Sequence, residues 1–144
     1  MIESDTIKLL RECDAGIKMG VKSIDDVLEY VGAESLKKIL VASKRHHLEL
    51  QKRIENILND YHDDGKKPNA FVTAMSYLKT NMKLTLNESD STIASLMVEG
   101  SDMGVKSLSR YLNQYKAADE VSKDIAKRLI NLEEQLAVDI RQYL

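Results

Sequence analysis

The pentapeptide MGVKS occurs twice in this chain, at Met19–Ser23 and again at Met103–Ser107, 84 positions later. The agreement extends further, because Gly16 precedes the first copy at the same distance at which Gly100 precedes the second. Each copy lies in a stretch whose apolar residues recur at steps of three and four, the spacing of one helix face. The repeat therefore predicts two similar amphipathic helices.

Apolar spacing along the whole chain predicts five helices and no strands, because no window alternates with a period of two. The chain has only one Pro and six Gly, which fits a helical protein because both residues are costly inside helices. Adding 84 to the core positions of the first stripe from Asp14 to Val31 gives the core positions from Val98 to Tyr115 in the fourth stripe, which was identified independently. The five stripes cover residues 7–31, 36–61, 71–84, 94–115 and 121–143.

The predicted architecture is all-α, a single domain over residues 1–144 built from two similar αα-hairpins. The hairpins cover 4–62 and 89–144, and the connection 63–88 contains a short helix of its own (Phe71–Leu84). That connection is long enough to run back along a bundle about 40 Å long. A full-length crossover between two hairpins is typical of a ferritin-like four-helix bundle. We expect the two MGVKS copies on neighbouring antiparallel helices, with the glycines allowing close contact.

Charge and hydropathy exclude several classes of partner. The chain has 21 basic and 23 acidic residues, with no basic stripe of the kind that binds nucleic acid. No stretch approaches the roughly 20 apolar residues that a membrane-spanning helix needs. Long bundles often associate, which leaves a homodimer open, and the sequence names no other protein partner.

The single cysteine, Cys13, excludes an intramolecular disulfide. One cysteine and no secretory signal at the N-terminus predict a cytoplasmic protein. The neighbouring Asp14 should raise the pKa of the thiol, so we expect a buried cysteine rather than a reactive one.

A di-iron carboxylate bundle needs Glu from two helices and Glu-x-x-His from the other two. The histidines are His46, His47 and His62, and none has Glu three residues before it. We also expect only apolar side chains on the core stripe of the last helix. The sequence therefore predicts no complete di-iron site.

Four polar residues nevertheless fall on the predicted core stripes: Asp14, Ser43, His47 and Ser101. Of these, Asp14 and His47 are the two with chemistry to offer. One interpretation is a partial metal site for iron, manganese or zinc, with Glu99, Asp102 or Cys13 contributing, because imidazole is a common metal ligand. The other is a buried pair that fixes helix register without any cofactor. Their Cα atoms are about one helical turn apart in the predicted hairpin, so we expect the side chains to meet directly or through one water.

Four stretches are similar to a ferritin-like bacterial family classed as a domain of unknown function. The resemblance implies a ferritin-like bundle and brings no established activity. It departs from the family at Ser101, where relatives usually have Glu after Gly, which argues against an inherited metal role at that position. The stretches are Leu10–Gly20, Arg45–Gln51, Phe71–Leu84 and Val98–Asp102.

These patterns together predict a non-catalytic interaction or structural module without a complete di-iron site. The alternative is a metal-binding or redox protein of the ferritin-like superfamily with a partial or subunit-shared metal site. Inward-facing carboxylates on the third and fifth predicted helices would favour that alternative, and the apolar stripes predict none.

Overall fold

The structure, a computed structural model, describes residues 4–63 and 89–144. These residues form four α-helices and a short C-terminal 3₁₀ helix, with no strand, so the all-α prediction is confirmed. The predicted helix Phe71–Leu84 lies outside the described residues. The helices are α1 (Asp5–Leu28), α2 (Glu34–Asp60), α3 (Asp90–Gln114) and α4 (Glu120–Ile140), and the 3₁₀ helix is Arg141–Tyr143.

Three of the helices have a side-chain cap at their N-terminus. Ser4, Ser89 and Asp119 each accept a hydrogen bond from the backbone N–H three residues later, at 3.4, 3.2 and 2.8 Å. These bonds satisfy N–H groups that have no partner within the helix. The first helix ends at Leu28, three residues before the end of its predicted stripe at residue 31.

Hydrogen bonds at both ends of the bundle give the direction of α1 relative to α3. At one end, Asp5 at the start of α1 accepts from the backbone N–H of Ala117, in the turn between α3 and α4, at 2.9 Å. At the other end, Asp90 at the start of α3 accepts from the N–H groups of Gly32 and Ala33, in the turn between α1 and α2, at 2.8 and 2.9 Å. The helices α1 and α3 are therefore antiparallel.

The four described helices run up, down, down and up. Each hairpin is antiparallel, α2 packs against α4, and α1 contacts both α3 and α4. Just after α2, the carboxylate of Asp63 accepts from Arg11 Nε of α1 at 3.0 Å, at the end of the bundle opposite Asp90. The first described segment thus stops at one end of the bundle and the second resumes at the other.

The core consists of two apolar clusters stacked along the bundle, each with residues from all four helices. Between them lies a polar layer formed by Gly20, Ser43, His47, Gly104 and Glu133. No described helix is both long enough and apolar enough to span a membrane. The first cluster contains Leu9, Leu10, Cys13, Ile17, Ile54, Leu58, Leu108, Ala118, Ile125, Ala126 and Leu129. The second contains Ile24, Val27, Leu36, Leu40, Ile93, Leu96, Met97, Leu136 and Ile140.

Candidate functional site

The centre of the polar layer is a contact between a histidine of α2 and a glutamate of α4. His47 Nε2 lies 2.5 Å from Glu133 Oε1. The other ring nitrogen, Nδ1, lies 2.7 Å from the backbone carbonyl oxygen of Ser43. His47 is fully buried and Glu133 is 8% exposed, so both nitrogens of the ring and the facing carboxylate oxygen have partners away from bulk water.

The protonation of this pair follows from its partners. A carbonyl oxygen can only accept, so Nδ1 of His47 donates to Ser43. Burial lowers the pKa of His47, but the hydrogen bond and charge of Glu133 and the carbonyl of Ser43 raise it, and the net pKa is above its ordinary value. Below this raised pKa, Nε2 also carries a proton and donates to Glu133, and the contact is then an imidazolium–carboxylate ion pair.

The glycine of each MGVKS copy borders this ion pair. A Cβ atom on Gly20 would lie 3.2 Å from Nε2 and 3.3 Å from Cδ2 of His47, closer than nearly all such contacts. A Cβ atom on Gly104 would lie 3.6 to 3.7 Å from the side chain of Glu133, an ordinary contact distance. The atoms nearest to a Cβ at either glycine belong to the side chains of His47 and Glu133, so the ion pair occupies the space beside both glycines.

The other predicted site residue, Asp14, has a different partner. It is 1% exposed, and its Oδ2 accepts from Lys18 Nζ at 2.7 Å on the same helix. Its Oδ1 has no hydrogen-bond partner within the described residues. Because both ring nitrogens of His47 bind elsewhere, the predicted direct contact between Asp14 and His47 is wrong.

The reason is the direction in which helical side chains point. They lean towards the N-terminus of their own helix, and this direction is reversed between antiparallel neighbours. The ring of His47 accordingly lies back against Ser43, one turn earlier in α2. The distance between Cα atoms, on which the prediction was based, therefore did not indicate a contact. A metal-binding role for Asp14 and His47 stays a prediction.

The remaining residues considered for a metal site lie apart from the ion pair or are chemically unsuited to it. Glu99 and Asp102 are exposed on α3. Cys13 is buried, and burial, followed by the charges of Glu12 and Asp14, raises the pKa of its thiol to about 12. The prediction of a buried cysteine is confirmed, and its low reactivity stays a prediction.

The donor set does not fit a complete metal centre. Within residues 4–63 and 89–144, no three or more His, Cys, Asp or Glu side chains are grouped so that they could hold a metal ion. His47 and Glu133 supply two donors at most. A tetrahedral ion bound to both would need its nitrogen and oxygen ligands roughly 3.3 Å apart, whereas these atoms are 2.5 Å apart.

Glu133 is the residue that the sequence interpretation missed. The predicted stripe on the last helix passed through Leu132, which is only partly buried, and the expectation of an entirely apolar stripe is wrong. Glu133 follows Leu129 by four residues and precedes Leu136 by three, and both leucines are buried. That spacing alone indicates an inward position, and it could have identified the glutamate.

Comparison of the chain with family models, curated proteins and solved structures found no match. We therefore infer function from the contacts, burial and charge of the described residues.

Proposed function

We propose that this chain is a ferritin-like four-helix bundle that acts as a non-catalytic structural or interaction module. In place of a complete di-iron site, its centre holds the ion pair between His47 and Glu133. The up, down, down, up order of the helices supports the ferritin-like assignment, because such bundles join two hairpins by one long connection. The cytoplasmic location stays a prediction from the sequence.

The observation that carries the proposal is that the ion pair is satisfied within the core. His47 donates from both ring nitrogens, to Ser43 and to Glu133, so neither nitrogen is free to take a proton from a substrate or to bind a metal. The pair lies between two apolar clusters. A buried ion pair of this kind is well suited to fixing which helix faces meet.

We also propose that the two hairpins are copies of one unit. Both begin with Ser followed by Asp, at Ser4–Asp5 and Ser89–Asp90. In each copy the serine caps its own helix and the aspartate accepts N–H groups from the turn of the other hairpin. This reciprocal exchange is what a two-fold arrangement of repeated hairpins would produce.

A metal-binding function is the second candidate, and one observation favours it. Imidazole and carboxylate are ordinary metal ligands, and His47 and Glu133 meet at the centre of the bundle. Metal binding would require the pair to separate and further donors to be supplied, for example at an interface between subunits. The same experiment distinguishes the two functions.

The test is the metal content of protein purified without chelators and then dialysed against Fe²⁺, Mn²⁺ or Zn²⁺. The control is the double variant His47→Leu/Glu133→Leu. We expect the wild type to retain far less than one metal ion per chain, with no excess over the control. One metal ion per wild-type chain, absent from the control, would contradict the proposal and establish the metal-binding alternative.

A further inference from the structure

The outer face of α2 carries two large apolar side chains that nothing in the described part of the chain covers. Val41 is 47% exposed and Leu48 is 42% exposed. They are seven residues apart, so they lie on the same side of the helix about two turns from each other. A shallow depression surrounds the first of them. It is lined by Glu34, Lys37, Lys38, Val41, Ala42 and Arg45.

Charged residues flank these apolar side chains on the same face of α2, and their signs follow a definite order along the helix. From the N-terminal end the order is Glu34, Lys38, Arg45, Glu49 and Lys52, all of them exposed. None of the five belongs to an ion pair within the described residues. When this face packs antiparallel against the same face of a second copy, Glu34 of each copy lies opposite Lys52 of the other. Lys38 of each copy then lies opposite Glu49 of the other.

We propose that this face of α2 is a homodimer interface, in which the α2 helices of two copies pack antiparallel about a two-fold axis between Val41 and Arg45. Each ion pair of this arrangement occurs twice by symmetry. Val41 of one copy packs against the aliphatic stem of Arg45 of the second copy, whose guanidinium group stays in water. A parallel pairing in register would instead place like charges opposite one another.

The size and composition of the face determine the kind of dimer. One pair of helices covers less area than a typical stable interface, which buries about 1,600 Å² in total. The ion pairs at its edges are exposed, so salt screens them. The dimer therefore dissociates on dilution and weakens as salt is added.

The first test compares two valines with nearly the same exposure on different helices. Val41 is 47% exposed on α2, and Val138 is 50% exposed on α4. We expect Val41→Lys to raise the dimer dissociation constant of the full chain by about tenfold or more, because it places a positive charge opposite Arg45 of the second copy at two symmetry-related positions. Val138→Lys should leave the constant unchanged. Sedimentation velocity over a range of protein concentrations measures both.

The second test is a charge exchange, which also detects the register. Lys38→Glu and Glu49→Lys should each weaken the dimer, because each opposes like charges at two symmetry-related positions. The double variant restores opposite charges across the two-fold axis, so its dissociation constant should return to within a few-fold of the wild-type value. Circular dichroism confirms that every variant remains folded.

Three outcomes would overturn the proposal. They are a wild type that stays monomeric at all concentrations, a dimer that Val138→Lys disrupts and Val41→Lys does not, and a double charge variant no tighter than the single ones. The inference rests on the proposed interaction role, and metal content measured on the same samples separates the two failures. A metal-loaded chain that still dimerises through α2 refutes only the proposed function, whereas a metal-free monomer refutes only the dimer.

Discussion

His47 and Glu133 each lie on a mostly apolar helix face, and either one alone would be an expensive group to bury. Together they form an ion pair, and the other ring nitrogen of His47, Nδ1, donates to the backbone carbonyl oxygen of Ser43. The polar layer around them separates the two apolar clusters of the core. A slip of α2 against α4 would separate the two side chains and bury each without its partner, so the pair opposes it.

The raised pKa of His47 predicts how stability depends on pH. A histidine whose pKa is higher in the folded protein than in the unfolded chain stabilises the fold fully below the unfolded value, about 6.5. That contribution is lost as pH rises through the folded pKa, by up to about 1.4 kcal/mol per pH unit. The physical reason is that Nε2 of the deprotonated ring and the carboxylate of Glu133 are both acceptors, so they can no longer form a hydrogen bond with each other.

The measurement is the free energy of unfolding in urea between pH 6 and pH 9, for the wild type and for His47→Leu/Glu133→Leu. We expect the wild type to lose stability over this range and the double variant to lose much less. A wild-type profile that rises with pH would show that His47 is neutral in the fold.

The two MGVKS glycines provide a matched comparison for the space around the ion pair. Ala is favoured over Gly inside a helix by about 1 kcal/mol. Gly104→Ala should gain most of this amount, since its Cβ would meet Glu133 at ordinary distances. Gly20→Ala should gain less or destabilise the protein, because its Cβ would lie 3.2 Å from Nε2 of His47.

Urea unfolding of both variants checks this prediction, with Gly100→Ala as the control. Apart from its chain neighbours and the backbone of its own helix, no atom of residues 4–63 and 89–144 lies within 4 Å of a Cβ at Gly100, so that variant serves as the reference for helix propensity. Equal gains at Gly20 and Gly104 would contradict the close approach of the imidazole.

The sequence predicted part of this site, and side-chain geometry explains the rest. It identified His47 and Asp14 as buried polar residues, because both fall on apolar stripes, and both are buried. It did not identify Glu133, because Leu132 offered a competing apolar position. It assigned the wrong partner to His47, because stripe positions contain no information on the direction in which a side chain leans.

At the scale of secondary-structure elements, the turns are held by the helices of the opposite hairpin. The first residue of α2 is preceded by Ala33, which has no side-chain cap of its own. Asp90 of α3 instead binds the turn before this helix, accepting from the N–H groups of Gly32 and Ala33. The sequence predicted the helices from their periodicity, but it could not predict this contact, because Ala33 and Asp90 are 57 residues apart.

Removing this contact should destabilise the turn between α1 and α2. We expect Asp90→Ala to cost about 1 kcal/mol, since two backbone N–H groups lose their acceptor. Hydrogen exchange should accelerate at Gly32 and Ala33. The control is Asp102→Ala, a change at an exposed aspartate in the middle of the same helix. Unchanged exchange at both amides in Asp90→Ala would show that the turn does not depend on this carboxylate.

At the scale of the whole molecule, the order of the helices is the property that separates this bundle from a simple up-down-up-down bundle. Apolar periodicity predicted the helices. The length of the connection 63–88 predicted that it could run from one end of the bundle to the other. Both MGVKS glycines border Glu133, which agrees with the prediction of two nearby copies. The direction of α3 depends on contacts at the bundle ends, which periodicity does not contain.

Distances between spin labels test that direction. Glu29, Ser91 and Asn113 are exposed, and the buried Cys13, whose thiol pKa is about 12, will not compete for the label. We expect a short distance between labels at 29 and 91. The distance between labels at 29 and 113 should be close to the length of α3 between positions 91 and 113, roughly 33 Å. The reverse result would place α3 parallel to α1.

The most direct test of the central claim, that His47 and Glu133 act as one structural unit, is a double-mutant cycle. His47→Leu and Glu133→Leu should each cost about 3–5 kcal/mol, because each leaves the partner buried and unpaired. The double variant replaces the pair with apolar side chains and should cost less than either single change. Urea unfolding at pH 6, where the pair is protonated, measures all four proteins. Additive losses, with the double variant the least stable of the four, would contradict the account.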